Sequence, residues 1–397
     1  MRYARSLLLL LVGAPLLIAA TSPDPVFDKR FNSFIDAGYD ALTAPPEWFD
    51  PTERVAGGGD TSIPVAAPST KAIASTALAA AASYAEAQGS TALIVMRDGA
   101  VEYEHYWRDN GPDSVFNPQS MSKTVLALLV GAAIADGKIR SVDDPVERYV
   151  PEWRGDPRGK ITIENLLNMA SGLAQLEEGF GYELTPENPA ARQHFGSDFH
   201  APILTLRAKV PPGQTFDYNN NGSNLLGLIV ERATGERYAD YLSRKLWAPL
   251  GLRDAHLYLD KPEGHPITAC CILSHPRDWA KIGQLILQNG KWEGREIVPA
   301  SWIAAMIKPS APYKGYGYQI WLGDQKVEAE RPSHLAPDDS WQSEPFAAPD
   351  IIALRGHGFQ RVWIIPSKKL VIMRAGKSWP PSWNEALIPN ILIRGMK

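Results

Sequence analysis

The sequence predicts an α+β fold in which one antiparallel sheet is built from both ends of the chain and flanked by helices. Two strand-like runs lie early in the periodic part of the sequence, and three more lie near its end. The segment between them, about residues 115–305, has mostly helical patterns. Distant runs of this kind can share one sheet only if the intervening segment is an insertion. We therefore expect an inserted, mostly helical subdomain.

The composition excludes several classes of protein. The 397 residues are 45% hydrophobic and 21% charged, unlike collagen-like, disordered or coiled-coil chains. A formal net charge of −4 offers no broad basic face for phosphate groups, so no nucleic-acid partner is expected. The two cysteines are the neighbours Cys270 and Cys271, which excludes a disulfide framework and a thiolate zinc site. We interpret this pair as small, buried packing residues.

Residues 1–20 are expected to be a secretory signal. Arg2 and Arg5 precede the uncharged stretch 6–20, which ends in the small residues Ala19-Ala20. This stretch is too short for a relaxed helix to cross a hydrocarbon core of about 30 Å. An uncleaved anchor or a buried N-terminal helix is the alternative. The protein is therefore predicted to be secreted or periplasmic, with no stable membrane span after signal cleavage.

The first periodic elements follow a segment without clear periodicity. Residues 21–72 are rich in Pro and Gly, and we expect an arm that wraps the body of the protein or stays mobile. Periodic structure is expected to begin near Ile73 with an Ala-rich helix. The β-rich runs 92–97 and 100–106 are separated by Asp98-Gly99, the strongest short-range signal for a hairpin.

The middle of the chain is dominated by helical patterns. Residues 125–135 are uncharged and mostly apolar, and the length of this run fits a buried core helix. Another helix is predicted at 162–169, with Thr162 as its N-cap. Residues 174–210 are irregular, as is typical of functional lids or walls. The remaining predicted elements are helices at 224–235, 238–246, 275–289 and 384–394, and strands at 318–322, 361–365 and 370–374.

The motif Ser120-Met-Ser-Lys123 lies directly before the predicted core helix. Residues three apart lie on one helix face, so Ser120 and Lys123 share the first turn if the helix begins near Gln119. A serine hydroxyl becomes a nucleophile when a base takes its proton. Burial and the positive end of the helix both disfavour the lysine ammonium and favour a neutral, basic amine. Taken alone, the motif is also compatible with an N-cap serine followed by a solvated lysine.

A second polar motif occupies residues 217–222. Tyr218 and Asn220 alternate, so their side chains can face the same side. A phenol near an ammonium group can relay a proton, and an amide can orient both a lysine and a substrate. The Asn-Asn-Asn-Gly run is equally ordinary in turns and N-caps.

A third motif, Arg355-Gly-His-Gly-Phe-Gln360, opens the predicted strand 361–365. Glycines at a strand edge allow the backbone to approach another group closely. A second oxyanion donor requires such an approach. A β-bulge or hairpin corner with His357 at the surface is the alternative.

Together, the three motifs resemble the serine β-lactamase and penicillin-binding-protein superfamily. More narrowly, the chain is similar to the class C-like branch of esterases and 6-aminohexanoate-dimer hydrolases. The resemblance extends over about Ser83–Gly376 and includes 161–173, Pro212-Gly213 and 316–321. It implies a β-lactamase/transpeptidase-like domain over residues 73–397, with sheet parts at about 73–110 and 310–397.

The resemblance also implies roles for individual residues. Ser120 would be the acylated nucleophile, and Lys123 and Tyr218 would handle its proton, although the sequence does not assign the base to one of them. Asn220 matches the third residue of the family's Tyr-x-Asn motif. The oxyanion hole would combine the backbone N–H of Ser120 with one near His357.

The chain departs from the family at its third motif. The Lys-Thr-Gly strand of β-lactamases and transpeptidases is absent, and Arg355, Gly356, His357 and Gly358 stand in its place. The two polar side chains of that motif help to hold a β-lactam carboxylate. Efficient penicillin hydrolysis is therefore in doubt, although Arg355 or His357 could substitute in part.

These observations predict an exported serine hydrolase that cleaves ester or amide bonds of small-molecule substrates through an acyl-enzyme. The alternatives are a peptidase acting on D-amino-acid or peptidoglycan peptides, a weak β-lactamase and, in a different class, a non-catalytic cell-envelope binding protein. No Gly-x-Ser-x-Gly elbow of an α/β-hydrolase occurs. The eight histidines form no metal-binding sequence motif, so neither a metal nor another cofactor is expected. Trp321 and Trp341 are candidates for the wall of a hydrophobic acyl pocket.

Overall fold

The computed structural model describes residues 24–40, 43–59, 62–176, 178, 184–323, 341–377, 380 and 382–397. The predicted secretory signal at residues 1–20 lies outside these ranges. Within them, no helix combines the length and the apolar character needed to cross a membrane.

The described residues contain both helices and short strands. The helices are α1 (Pro25–Asp36), α2 (Ser75–Ala87), α3 (Ser122–Ala135), α4 (Ile163–Leu167), α5 (Pro189–Phe195), α6 (Ala201–Leu204), α7 (Asn220–Thr234), α8 (Tyr238–Leu242), α9 (Pro276–Leu287), α10 (Ala300–Met306) and α11 (Leu387–Arg394). The strands are β1 (Thr52–Val55), β2 (Ser90–Arg97), β3 (Ala100–Tyr106), β4 (Ala255–Tyr258), β5 (Ile272–Leu273), β6 (Lys291–Trp292), β7 (Arg295–Glu296), β8 (Trp321–Leu322), β9 (Ile352–Gly356), β10 (Gln360–Ile365) and β11 (Leu370–Gly376).

The main sheet has the order β3-β2-β11-β10-β9-β8, and each neighbouring pair is antiparallel. The prediction of one antiparallel sheet built from both ends of the chain is therefore confirmed. Strands β2 and β3 form the predicted hairpin, in which Asp98 and Gly99 have φ angles of 50° and 83°. Two residues with positive φ suit the twist of a two-residue hairpin, which explains the Asp-Gly pair.

Helices cover both faces of this sheet. Helices α2 and α11 pack together against one face, where Leu93, Val95 and Trp363 belong to a shared apolar cluster. Helix α9 packs against β10 and β11 on the other face, which faces the main core. The position of α9 between sheet and insertion joins the two parts of the fold.

The inserted part is built around α3, as its apolar sequence predicted. Residues 122–133 of this helix are all buried, and α7 packs beside it. Thr162 caps α4 in a capping box with Asn165, which confirms the predicted N-cap. Helix α7 begins at Asn220 rather than at the predicted residue 224. The reason is that Asn219 caps it by accepting from the backbone N–H groups of the next turn.

The expectation that no periodic structure precedes Ile73 is wrong. Helix α1 places Phe27, Phe31 and Phe34 at helical spacing, and these rings pack with Phe195 of α5. The buried Arg30 guanidinium donates to the backbone carbonyls of Gly196, Leu259 and Asp260. Strand β1 also pairs with β4. Within residues 24–59, the described part of the arm therefore folds onto the insertion, in agreement with the expectation of an arm that wraps the body of the protein.

The predicted strand at 318–322 is shorter in the structure. Only Trp321–Leu322 forms a strand, because Gln319 adopts a left-handed conformation with φ of 53°. The side-chain amide of Gln319 instead donates to the carbonyls of Leu166 and Leu167. Strand β9, which lies beside β10, was not predicted.

Candidate active site

Ser120 and Lys123 meet at the start of α3. Ser120 lies in a 3₁₀ turn at Gln119–Met121, directly before this helix, and is half-buried. The Nζ atom of Lys123 lies 2.7 Å from Ser120 Oγ. The same Nζ donates to the carbonyl oxygen of Ala269 at 2.8 Å. The structure therefore brings together the hydroxyl and the amine that the motif predicted on one turn.

The environment of Lys123 favours its neutral form. The residue lies in the first turn of the buried helix α3 and is only 1% exposed. Burial lowers the pKa of the Lys123 ammonium from its ordinary value of 10.5 to about 7. Near neutral pH, a large fraction of this amine is therefore free to accept a proton.

Tyr218 lies over the same pair. Its hydroxyl hydrogen bonds to Ser120, and Lys123 Nζ lies 5.0 Å from the centre of its ring. Burial raises the pKa of the Tyr218 phenol to about 12, although the hydrogen bond to Ser120 opposes this shift. The phenol therefore remains protonated at neutral pH. The amide of Gln175 holds this segment by donating to the carboxylate of Asp217 at 2.8 Å and to the carbonyl of Tyr218 at 3.0 Å.

The asparagines after Tyr218 have different positions. Asn219 is buried and caps α7, whereas Asn220 is the exposed first residue of that helix. Among the described residues, the Asn220 side chain makes no hydrogen bond, and the expected contact with Lys123 is not formed. Asn224, which was not predicted, accepts from the backbone N–H of Ala269 at 2.8 Å. The buried Asn224 amide therefore fixes the segment at Ala269, whose carbonyl binds Lys123. The sequence signal for this role was that Asn224 lies one helical turn after Asn220.

The Gly-rich turn approaches the serine from the main sheet. A Cβ added at Gly356, the last residue of β9, would lie 2.2 Å from the carbonyl oxygen of Pro118. The predicted close approach of the backbone therefore occurs at Gly356, beside the turn that carries Ser120. His357 is exposed, and Gly358 is buried with φ of 69°. The buried Arg374 guanidinium holds this turn by donating to the carbonyls of Gly358 and Phe359.

The Trp321 ring lies between Arg355 and Tyr218, so the Arg355 guanidinium does not contact Tyr218 directly. The guanidinium lies 5.2 Å from the centre of the Trp321 ring, and that ring stacks on Tyr218 with centres 5.8 Å apart. Burial lowers the pKa of Arg355 to about 10, with Glu385 opposing the shift, so the side chain remains cationic at neutral pH. Trp321 is therefore a wall of the cleft, with a positive charge behind it.

The expectation for the two cysteines is corrected. Cys270 and Cys271 form a disulfide between chain neighbours, directly after Ala269. Cys271 is 1% exposed, so the expected burial holds for this residue. Two adjacent cysteines cannot link distant parts of the chain, but they can form a disulfide with each other, as Cys270 and Cys271 do. The backbone N–H of Ile272, the next residue, donates to Ser122 Oγ at 3.3 Å, so this bonded pair joins the loop to α3.

Gly356→Ala is expected to lower kcat/KM for an activated ester by about 100-fold, because the added methyl group would displace the turn that carries Ser120. Steady-state kinetics with a p-nitrophenyl ester measure this effect. Gly111→Ala is the control, since a Cβ at that position meets no atom within 4 Å. Equal losses in both variants, or full activity in Gly356→Ala, would contradict the expected crowding.

Comparisons with known proteins show to which family the chain is similar. The beta-lactamase family model matches residues 76–389 of the chain. The 6-aminohexanoate-dimer hydrolase of Paenarthrobacter ureafaciens is 27% identical over 297 residues, which cover 73% of this chain and 72% of that protein. Esterase EstB of Burkholderia gladioli is 33% identical over 165 residues, or 38% of this chain and 40% of the esterase.

The fold has a solved counterpart. A Bacillus anthracis protein assigned as a 6-aminohexanoate-dimer hydrolase superposes with a TM-score of 0.71 at 18% identity, covering 88% of this chain and 91% of that structure. This similarity confirms the β-lactamase/transpeptidase-like α+β fold. With the family match over most of its length, the chain belongs to the beta-lactamase family and is a serine hydrolase.

Proposed function

We propose that the protein is an exported hydrolase that cleaves ester or amide bonds of small molecules through an acyl-enzyme on Ser120. The distance of 2.7 Å between the buried Lys123 amine and Ser120 Oγ is the main support for this proposal. A neutral amine at that distance is positioned to take the hydroxyl proton. The relatives named as a 6-aminohexanoate-dimer hydrolase and an esterase support the choice of bond.

The opposite pKa shifts of Lys123 and Tyr218 support complementary roles for these two residues. Lys123, with a pKa of about 7, accepts the proton of Ser120 as Oγ attacks the substrate carbonyl carbon. Tyr218, with a pKa of about 12, remains a donor and passes its proton to the leaving group. The Lys123 ammonium then returns a proton to Tyr218. Water then attacks the acyl carbonyl carbon while Lys123 takes one of its protons. The bond to Ser120 Oγ breaks, and the Lys123 ammonium returns that proton to Oγ, which releases the acid and restores the serine.

The oxyanion that forms on the substrate needs donors in fixed positions. Among the described residues, the backbone N–H of Ser120 donates no hydrogen bond, so it is available to a ligand. We assign the second donor to the turn at His357–Gly358, because Gly356 packs against the residues before Ser120. Asn220, exposed at the start of α7, is a candidate contact for the rest of the substrate.

The cleft also indicates the type of acyl group. Tyr218 and Trp321 form an aromatic wall, and the buried Tyr316 supports it through an edge contact with Trp321, with ring centres 4.9 Å apart. Such a wall suits an apolar acyl chain. Arg355 behind Trp321 contributes a positive potential without direct access to the substrate.

A fluorophosphonate probe followed by intact-mass analysis tests the acyl-enzyme. One adduct per chain is expected, on the peptide that contains Ser120. A series of p-nitrophenyl esters and the 6-aminohexanoate dimer then compare ester and amide hydrolysis, and nitrocefin and D-alanyl peptides test the other two activities. The absence of both an adduct and turnover would favour a non-catalytic binding protein.

We expect kcat/KM for a p-nitrophenyl ester to rise with pH and to inflect at about 7. Lys123 must be neutral to act as the base, so activity is low below its pKa and reaches a plateau above it. Initial rates between pH 5.5 and 9, corrected for spontaneous hydrolysis, measure the profile. A profile that is flat or falls between pH 6 and 8 would show that another group limits the reaction.

Export is supported by the charged and apolar pattern of residues 1–20 and by the disulfide after Ala269. Disulfides persist in oxidising compartments such as the periplasm and the extracellular medium. N-terminal sequencing of the protein recovered from a periplasmic or culture-medium fraction tests this part of the proposal. Recovery only in the cytoplasm, with Met1 or Arg2 at the N-terminus, would contradict it.

A further inference from the structure

Three potential metal ligands meet outside the catalytic cleft. His200, Glu231 and His265 each offer one ligand atom, and these three atoms lie within 4.8 Å of one another. His200 precedes α6, Glu231 lies in α7, and His265 lies in the loop between β4 and β5. These residues come from three separate segments, so they form no sequence motif. For this reason the sequence alone predicts no metal site.

The ligand set is one that transition metals favour. Two imidazoles and one carboxylate, with water in a fourth position, form a common Zn²⁺ environment. Nδ1 of His265 lies 2.8 Å from Oε2 of Glu231, and the rings of His200 and His265 are 4.4 Å apart. The other carboxylate oxygen of Glu231 accepts from the backbone N–H of Tyr238 at 3.1 Å. That contact orients the carboxylate, as groups behind metal ligands commonly do.

An ion pair without a metal accounts for only part of this arrangement. Glu231 and His265 satisfy each other, but among the described residues no hydrogen bond reaches a ring nitrogen of His200. His200 is 8% exposed as a residue, and its ring lies at the partly buried edge of the cluster. A neutral ring beside a carboxylate can supply a lone pair to a cation.

We propose that His200, Glu231 and His265 bind one divalent transition-metal ion, for which Zn²⁺ is the best match. The partly exposed His265 gives the ion a path from solvent, and water fills the remaining position. The ion joins α7 to the segment before α6 and to the loop that leads to Ala269. Since the Ala269 carbonyl accepts from Lys123, the bound metal stabilises the part of the fold that supports the base.

Calorimetric titration of the tag-free, full-length protein with Zn²⁺, after removal of metals with EDTA, tests the site. One equivalent is expected to bind, and Zn²⁺ is expected to raise the thermal unfolding temperature. His200→Gln and His265→Gln should each weaken binding by at least about tenfold. Titration with Co²⁺ should give the visible absorption of a nitrogen- and oxygen-ligated ion in the wild type and lose it in both variants.

His256→Gln is the matched control, because this exposed histidine lies on β4 outside the cluster. It should bind Zn²⁺ as the wild type does. His265→Gln changes a side chain that is about half exposed, so it should retain the fold, which far-UV circular dichroism checks. The proposal is overturned if the wild type binds well below one equivalent, or if His256→Gln weakens binding as much as the cluster variants do.

Discussion

Ser120→Ala is expected to reduce the hydrolysis of an activated ester by about 10⁴-fold or more and to abolish the covalent adduct with a fluorophosphonate. In the described part of the chain, the one side-chain hydroxyl that is hydrogen-bonded to the Lys123 amine is that of Ser120, at 2.7 Å. Residual turnover would come only from binding and from the oxyanion donors. Intact-mass analysis after labelling, together with steady-state kinetics, measures both effects.

Ser122→Ala is the matched control for this variant. Ser122 lies two residues away but is fully buried, and its Oγ accepts from the backbone N–H of Ile272. Removing it should cost about 1 kcal/mol of stability while leaving the adduct in place. If Ser120→Ala still forms the adduct or keeps its turnover, the nucleophile has been assigned to the wrong residue.

Lys123→Met is expected to abolish activity and to increase the free energy of unfolding at pH 7. The unfolded chain holds this lysine with its ordinary pKa of 10.5, whereas the folded chain holds it at about 7. Between these values the unfolded state binds more protons, so the wild type gains stability as pH rises through this window. Methionine removes the free-energy cost of deprotonating the lysine on folding. It also leaves the Ala269 carbonyl without its donor, so the net increase in the free energy of unfolding is about 1–3 kcal/mol.

Urea denaturation at pH 7 and pH 10 measures this effect. The advantage of Lys123→Met should shrink at the higher pH, because pH 10 is close to the unfolded-state pKa of 10.5 and little free energy is then needed to deprotonate the wild-type lysine on folding. Lys138→Met serves as the control, since Lys138 is exposed at the end of α3 and should change little. A stability difference between Lys123→Met and the wild type that is the same at both pH values would show that folding does not lower the pKa of Lys123.

The sheet built from both ends of the chain was predicted from the positions of the strand-like runs, whereas the other features predicted correctly from the residues alone are local ones. The Asp98-Gly99 hairpin and the Thr162 cap depend on neighbouring residues, and the pairing of Ser120 with Lys123 depends on one helical turn. The approach of Tyr218 to that pair is a tertiary contact, and only the family resemblance anticipated it. Motif spacing contains no information about how distant segments pack.

Other features were missed because neighbouring residues masked the local pattern or because the feature depends on contacts between distant segments. The spacing of Phe27, Phe31 and Phe34 was visible, but the surrounding Pro and Gly residues obscured the helix that it indicates. Strand β9 ends in the Gly-rich motif, which favoured a turn over a strand. The role of Asn224 depends on its contact with Ala269, which lies on a distant loop. The cluster at His200 likewise exists only after three segments have packed together.

The bond between Cys270 and Cys271 affects how the protein should be prepared. Overproduction in the bacterial cytosol, where thioredoxin and glutathione keep thiols reduced, would yield chains in which this small ring is open. The Ala269 carbonyl, which accepts from Lys123, would then lie in a more mobile loop. Specific activity should therefore vary between batches with their oxidation history, and counting free thiols with Ellman's reagent would make separate preparations comparable.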